Sequence, residues 1–324
     1  MENKQTNQPA EQFKTMIGGQ ALIEGILMRG PEKQAIVVRS KEGLVEKVEP
    51  IKASKDRNPI LGWPLIRGVV NFGASMYNGV KALMFSADYF PDDDLVDTEP
   101  TKFERWIEKK FGTPAMEQFI LILAVVLGIG FSVGLFFLLP MVLCEYLLFW
   151  IKSDLIRNLI EGVVRVAIFM SYMILVSRMK EMKRVFAYHG AEHKTIRCYE
   201  AKLPLTIENV RTMSRMHPRC GTSFLFVVMI VSILVFSIFT SLFNIKGKLL
   251  KVVVKLLLLP VVVAITYEFN RWVGRHDNKL TRALSWPGMM MQKFTTNEPD
   301  ESMMEVAIRS LELVIPEQEG KDEW

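Results

Sequence analysis

Cysteine is scarce, with three residues in a chain of 324. Three thiols cannot build a disulfide scaffold, and they fit a reducing compartment. No two are spaced as CxxC, which excludes a thiolate zinc ribbon. Histidine is almost as rare, with four residues. The opening residues MENKQTNQPAEQ contain no apolar run, so no cleavable signal peptide is expected. There is neither an internal repeat nor a low-complexity tract. A net charge of only +5 and an apolar fraction of 50% exclude disorder for most of the chain.

What is abundant is long apolar sequence. Phe119 to Leu139 is uncharged for 21 residues and Ser223 to Ile245 for 23. An apolar run of about 18 or more reads as a membrane-spanning helix. Leu159 to Ser177 is a third candidate, whose Glu161 and Arg165 lie four apart on one helical face and can neutralise each other. Leu249 to Phe269 is a fourth. Its Lys251 and Lys255 can snorkel from one end, and Pro260 predicts a kink. Between the first two, Pro140 is expected to break the helix, leaving a short surface helix to Ile151. Gly130 and Gly134 form a GxxxG pair that allows close helix contact, and a homo-oligomer is left open.

The expected fold is mainly α: a polytopic membrane helix bundle of about four spans with a small N-terminal α/β cytoplasmic segment. Its parts are a disordered N-terminus (1–15), a cytoplasmic or interfacial segment (16–117), the membrane domain (118–269) and a cytoplasmic C-terminal segment (270–324). The loop 178–222 carries ten Lys and Arg, far more than the other loops. By the positive-inside rule it faces the cytoplasm, and four spans then put both termini there, in the cell membrane. A pI near 9.0 is thereby explained by topology. The partner is the membrane. No nucleic acid is expected, because no basic segment is interleaved with aromatics.

In the N-terminal segment, Ala35 to Arg39 and Leu44 to Val48 read as a β-hairpin. From about Pro64 to Phe85 an apolar stripe (Val69, Phe72, Met76, Val80, Leu83) predicts a helix that packs on the protein or lies in the membrane interface. Asp92, Asp93 and Asp94 read as a solvated loop. Ser302 to Glu305 reads as a capping box opening a C-terminal amphipathic helix.

The chemistry concentrates in His189-Gly190-Ala191-Glu192-His193, an H-x-x-E-H motif. On a helix the two histidines are one turn apart and face the same way, so both imidazoles can hold one divalent metal, with zinc the expected ion. Glu192 can then reach a water and act as the catalytic base. Taken alone, the spacing fits equally a polar helix with two surface histidines. Third-ligand candidates are Glu268 first, His217 second and Cys220 third, followed by Asp277 and His276. Glu268 could instead pair with Arg271 or Arg275. Arg197 or Arg219 could stabilise a developing anion. If the second span ran on unbroken, His189 would lie about 18 Å beyond Ser177, away from the membrane edge.

The segments Gly18 to Pro31 (GGQALIEGILMRGP), Tyr188 to Thr195, His217 to Phe224 and Pro287 to Thr296 resemble the YqhQ family. This is a group of bacterial integral-membrane proteins catalogued as a domain of unknown function. The resemblance covers about residues 16 to 315 and implies a metal-dependent enzyme without an assigned substrate. That implication rests on the same histidine motif. The N-terminal glycine motif is neither G-x-G-x-x-G nor a P-loop. It reads as a packed strand and turn, or as one that brings Glu24 or Arg29 to the site. Two functions follow: a metal-dependent membrane hydrolase, or a non-enzymatic assembly factor or transporter with structural histidines.

Overall fold

A computed structural model describes residues 13–51, 58–89, 113–151, 153–243, 245, 247–276, 278–318 and 320–323. The acidic run at Asp92 and Asp277 lie outside them, as does most of the segment expected to be a disordered N-terminus. The chain divides into two compact units. One comprises Met1–Phe90, Tyr172–Val235 and Lys255–Trp324; the other comprises Pro91–Ser171 and Phe236–Val254.

The first unit is built on a four-stranded antiparallel meander of β1 (Gly18–Leu22), β2 (Gly25–Arg29), β3 (Lys33–Ser40) and β4 (Gly43–Pro50). The expected hairpin is β3–β4. The glycine motif supplies a second hairpin, β1–β2, closed by a two-residue turn in which Glu24 takes a positive φ of 48°. Strands β2 and β3 are apolar without alternation because both faces of the sheet are covered. Ile26, Met28, Ala35 and Val37 face one core cluster, and Leu22, Leu27, Ile36 and Val38 face another.

The second cluster is closed by Ala82 and Phe85 of α1 (Ile66–Asp88). The expected apolar stripe of this helix is largely outward: Val69, Met76, Val80 and Leu83 are exposed, while Gly68, Gly79, Ala82 and Ser86 are buried. Two polar residues of its first half point inward. Arg67 forms two hydrogen bonds to Glu268, and the Asn71 amide donates to the Tyr267 hydroxyl at 2.8 Å. Polar inside and apolar outside suits a helix whose outer face meets lipid rather than water.

In the other unit, α2 (Thr113–Val133), a π-helical segment (Gly134–Leu138) and α3 (Leu139–Leu147) run on from one another. Together they give an apolar span over Leu123–Leu147, so Pro140 does not end the helix. Proline has no N–H to offer the carbonyl four residues back. That carbonyl, on Phe136, instead accepts from Arg165 Nε at 2.9 Å. Arg165 lies in α4 (Asp154–Val176), where it also donates to buried Glu161 at 2.8 Å and stacks on Phe137. The internal ion pair and the proline therefore satisfy each other.

After α4 the chain breaks: Met179 is extended with ψ 140°, and α5 (Lys180–Glu200) starts as a separate helix. The single unbroken helix that would carry His189 about 18 Å beyond Ser177 therefore does not form. A short α6 (Ile207–Thr212) precedes α7 (Gly221–Leu242), the most apolar span. The fourth span is split at Pro260 into α8 (Lys248–Leu257) and α9 (Leu259–Arg275). Then come α10 (Lys279–Thr295) and α11 (Glu301–Glu312). The cap of α11 is Asp300, whose Oδ1 accepts from the Met303 amide at 2.9 Å, two residues earlier than the sequence suggested. Among the described residues, four helices are long and apolar enough to cross a membrane, and the chain has the make-up of a multi-pass membrane protein.

Replacing Arg165 with Met takes the hydrogen-bonded cation from buried Glu161 and one donor from the Phe136 carbonyl. The variant is expected to lose about 3–5 kcal/mol of stability, while the double variant E161M/R165M recovers most of it. Denaturant unfolding in detergent micelles measures both.

Candidate metal centre

Helix α5 is buried nearly all round from Phe186 to Cys198. It packs on the sheet through β1 and on α11, and the loop after α6 covers a further side. Such enclosure takes polar side chains out of water, so each must find a partner or a ligand.

His189 and His193 are one turn apart with ring centroids 4.3 Å from each other. Each is held by a backbone carbonyl. His189 Nδ1 lies 2.7 Å from Thr295 O, and His193 Nδ1 lies 2.6 Å from Arg215 O. A carbonyl only accepts, so both Nδ1 atoms carry the proton and both Nε2 atoms present lone pairs. His189 Nε2 lies 3.1 Å from Cys220 Sγ. His193 Nε2 is buried without a hydrogen-bond partner among the described residues. The ligand atoms of His189, His193 and Cys220 all lie within 4.8 Å of one another.

Glu192 sits beside this cluster. Its Oε1 accepts from the Gly19 amide at 2.9 Å, and its Oε2 is buried and unpartnered among the described residues. Burial raises its pKa above the usual carboxylate range. Burial also disfavours a charged Cys220 and a charged His189, but each favours the other's charge more strongly. The thiol is held well below its ordinary range and the imidazole is pushed up to about 9.

Of the remaining ligand candidates, the structure brings Cys220 to the histidines and leaves Glu268 away from them. Both Glu268 oxygens are taken by Arg67, at 2.7 and 2.5 Å. This partner comes from another helix and not from Arg271 or Arg275. His217 lies next to the cluster, its ring 5.6 Å from that of His193. Its Nε2 is 3.3 Å from Glu200 Oε2, within a buried group completed by Arg219. Burial first, and then the Arg219 charge, hold the His217 pKa well below its usual value. His276 contacts the Trp272 carbonyl on its own helix. Glu24 bonds Arg184 and Tyr188, fastening the β1–β2 turn to α5. Arg29, Glu192, His193, Arg219 and Cys220 all line one cavity of about 480 Å³.

Three supports were not foreseen in the sequence. Gly19 brings its amide against Glu192, and a Cβ there would lie 2.7 Å from Leu27 O. Gly190 lets the segment after α10 cross the motif, since a Cβ would collide with Asn297 O. Gln292 clamps the loop carrying His217 and Cys220: its Oε1 accepts from the His217 amide and its Nε2 donates to the His217 carbonyl, both at 2.7 Å. The glycines inside the sequence motifs were the available signal, because close backbone approach is a standard reason for glycine.

A family model described as "Protein of unknown function (DUF1385)" matches residues 63–317. The chain is 32% identical over 295 residues to "Uncharacterized protein YqhQ" of Bacillus subtilis (strain 168), covering 90% of each. No solved structure matches.

Gly190→Ala must displace the Asn297 carbonyl and with it the neighbouring Thr295 carbonyl that holds His189. A loss on the order of 1–3 kcal/mol or more is expected, whereas Gly128→Ala, on an open helix face, is expected to be neutral or better. Thermal unfolding of the two purified variants against wild type checks the contrast.

Proposed function

The chain belongs to the DUF1385 family, and from that premise we propose that it is a metal-dependent hydrolase of the membrane, with its site at the cytoplasmic face. His189 Nε2, His193 Nε2 and Cys220 Sγ would hold one divalent ion, most naturally zinc, which two imidazoles and a thiolate suit. The observation that carries this reading is the pair of buried, unpartnered atoms, His193 Nε2 and Glu192 Oε2, beside a preset Nε2–Sγ pair. A purely structural histidine cluster would have closed those valences.

A zinc ion bound there would supply a Lewis acid and make water nucleophilic near neutral pH. The protein's own groups do the rest. The Gly19 amide fixes Oε1 of Glu192 so that Oε2 is left to take a proton from water. The raised pKa of Glu192 brings its basicity closer to what a general base needs. The Thr295 and Arg215 carbonyls orient the imidazoles, as outer partners of metal ligands commonly do. Arg219, whose Nε is buried and unpartnered among the described residues, offers a donor to a developing anion.

A second reading uses the same atoms without an ion. Cys220 and His189, at 3.1 Å, form a thiol–imidazole pair of the kind that activates a cysteine nucleophile, and the neighbouring imidazoles lower the thiol's pKa. A non-enzymatic assembly factor or transporter would need neither the ion's open position nor the base.

Metal content and rescue of a deletion strain separate these readings. His193→Ala and Cys220→Ser are expected to lose the ion. Glu192→Gln is expected to keep metal and fold but to lose rescue by about 100-fold or more. Full rescue by metal-loaded Glu192→Gln would exclude catalysis by this base. Full rescue by metal-free His193→Ala together with inactivation by thiol alkylation would favour the cysteine nucleophile.

A further inference from the structure

The site does not end at the polar cavity. A second cavity of about 410 Å³ adjoins it and shares Met16, Asn71, Ser75, Arg219, Cys220 and Tyr267 with it. Its remaining walls are mostly apolar, including Phe72 of α1, Phe224 and Val227 of α7, Phe269 of α9 and Leu284 of α10. Phe224 and Val227 lie in the first two turns of one apolar span, and Phe269 lies near the end of another. That is the level at which such helices leave a bilayer. Trp272 and Trp286, which expose their rings nearby in sequence, are of the type enriched at that boundary. The outer face of α1, with Met76, Tyr77 and Val80 exposed, is apolar as well.

A third cavity of about 420 Å³ shares Pro218, Arg219, Val273 and Ser285 with the second. Lys14, Arg197, Arg219, Arg282 and His276 line it, with one Nη of Arg219 held by Glu200 and its Nε unpartnered among the described residues. The second cavity adds Arg271. Arg219 borders all three. Guanidinium groups suit phosphate and carboxylate oxygens, and a low-dielectric wall strengthens that attraction. The three cavities thus offer an apolar slot, a basic vestibule and a reactive polar chamber meeting at one arginine.

We propose that the substrate is a membrane lipid with an anionic headgroup, its chain against Phe72, Phe224 and Val227 and its head between Arg219 and the His189–His193–Cys220 cluster. This deepens the hydrolase reading by naming the substrate class of the same site. A water-soluble phosphate ester or phosphate itself would fill the basic and polar cavities and leave the apolar one without purpose. The lipid uses all three.

The test uses the purified full-length protein in phosphatidylcholine nanodiscs containing phosphatidic acid with a photoreactive diazirine in its acyl chain. Mass spectrometry maps the labelled residues. Labels are expected on Phe224, Val227 and Leu284, reduced by unlabelled phosphatidic acid but not by inorganic phosphate or by added phosphatidylcholine. Val227→Trp, which fills the slot, is expected to cut those labels about tenfold while leaving labels on outward Leu234 unchanged. Competition by phosphatidylcholine, or labels confined to outward faces, would overturn the proposal. Competition by inorganic phosphate would point instead to a free-anion site and also overturn it. The competition arm uses wild-type protein, so its outcome does not depend on how the variant folds. His193→Ala keeps the inference apart from the metal reading. Cavity labels in a metal-free H193A protein support the lipid site on their own. Metal-loaded wild type without cavity labels overturns the lipid site and leaves the metal reading standing.

Discussion

Two hydrogen bonds from imidazole N–H to backbone carbonyl organise this molecule's chemistry. Thr295 O holds Nδ1 of His189, and Arg215 O holds Nδ1 of His193. Each bond fixes a tautomer, and each turns an Nε2 lone pair toward Cys220 and the cavity. Neither carbonyl is placed by α5 itself. Thr295 ends α10, and Arg215 lies in the loop between α6 and α7. The site therefore depends on bringing distant segments onto one buried helix.

Other contacts keep those segments in place. Asn297 N–H donates to the Phe186 carbonyl, and the missing side chain of Gly190 makes that crossing feasible. Gln292 ties α10 to the His217 backbone with two bonds, and Arg215 Nη1 donates to Thr296 O. Arg197 Nε donates to Met216 O, adding a tie from α5 itself. Buried networks of this kind stabilise only when each member is satisfied. Against that background, Glu192 Oε2 and His193 Nε2 stand out as buried atoms without a hydrogen-bond partner among the described residues.

Much of the architecture was legible from elementary patterns. Long uncharged runs announced the spans, the i,i+4 histidines announced a shared helix face, and β-branched runs announced the β3–β4 hairpin. The Glu161–Arg165 pair was also readable from its spacing and is hydrogen-bonded in the structure. What could not be read depended on long-range pairing. The partner of Glu268 is Arg67, 201 positions away, while sequence proximity suggested arginines on its own helix. Pro140 looked like a helix end because the donor that occupies the Phe136 carbonyl comes from Arg165 on another helix. The stripe on α1 was real, but which way it faces was left open, since period alone does not say whether an apolar face turns inward or outward. Cys220 ranked behind Glu268 and His217 because no spacing rule links a loop cysteine to a histidine helix 27 residues earlier.

A metal held by two imidazoles and one thiolate is the centre of the proposed chemistry. X-ray absorption at the metal edge of the purified, zinc-loaded protein addresses that directly. The expected spectrum contains one sulfur at about 2.3 Å and nitrogen or oxygen neighbours at about 2.0–2.1 Å, with imidazole scattering from two histidines. In Cys220→Ser the sulfur contribution should vanish. A first shell of oxygen and nitrogen alone in the wild-type protein would contradict it, because Cys220 would then not be a ligand and the cluster would need another purpose.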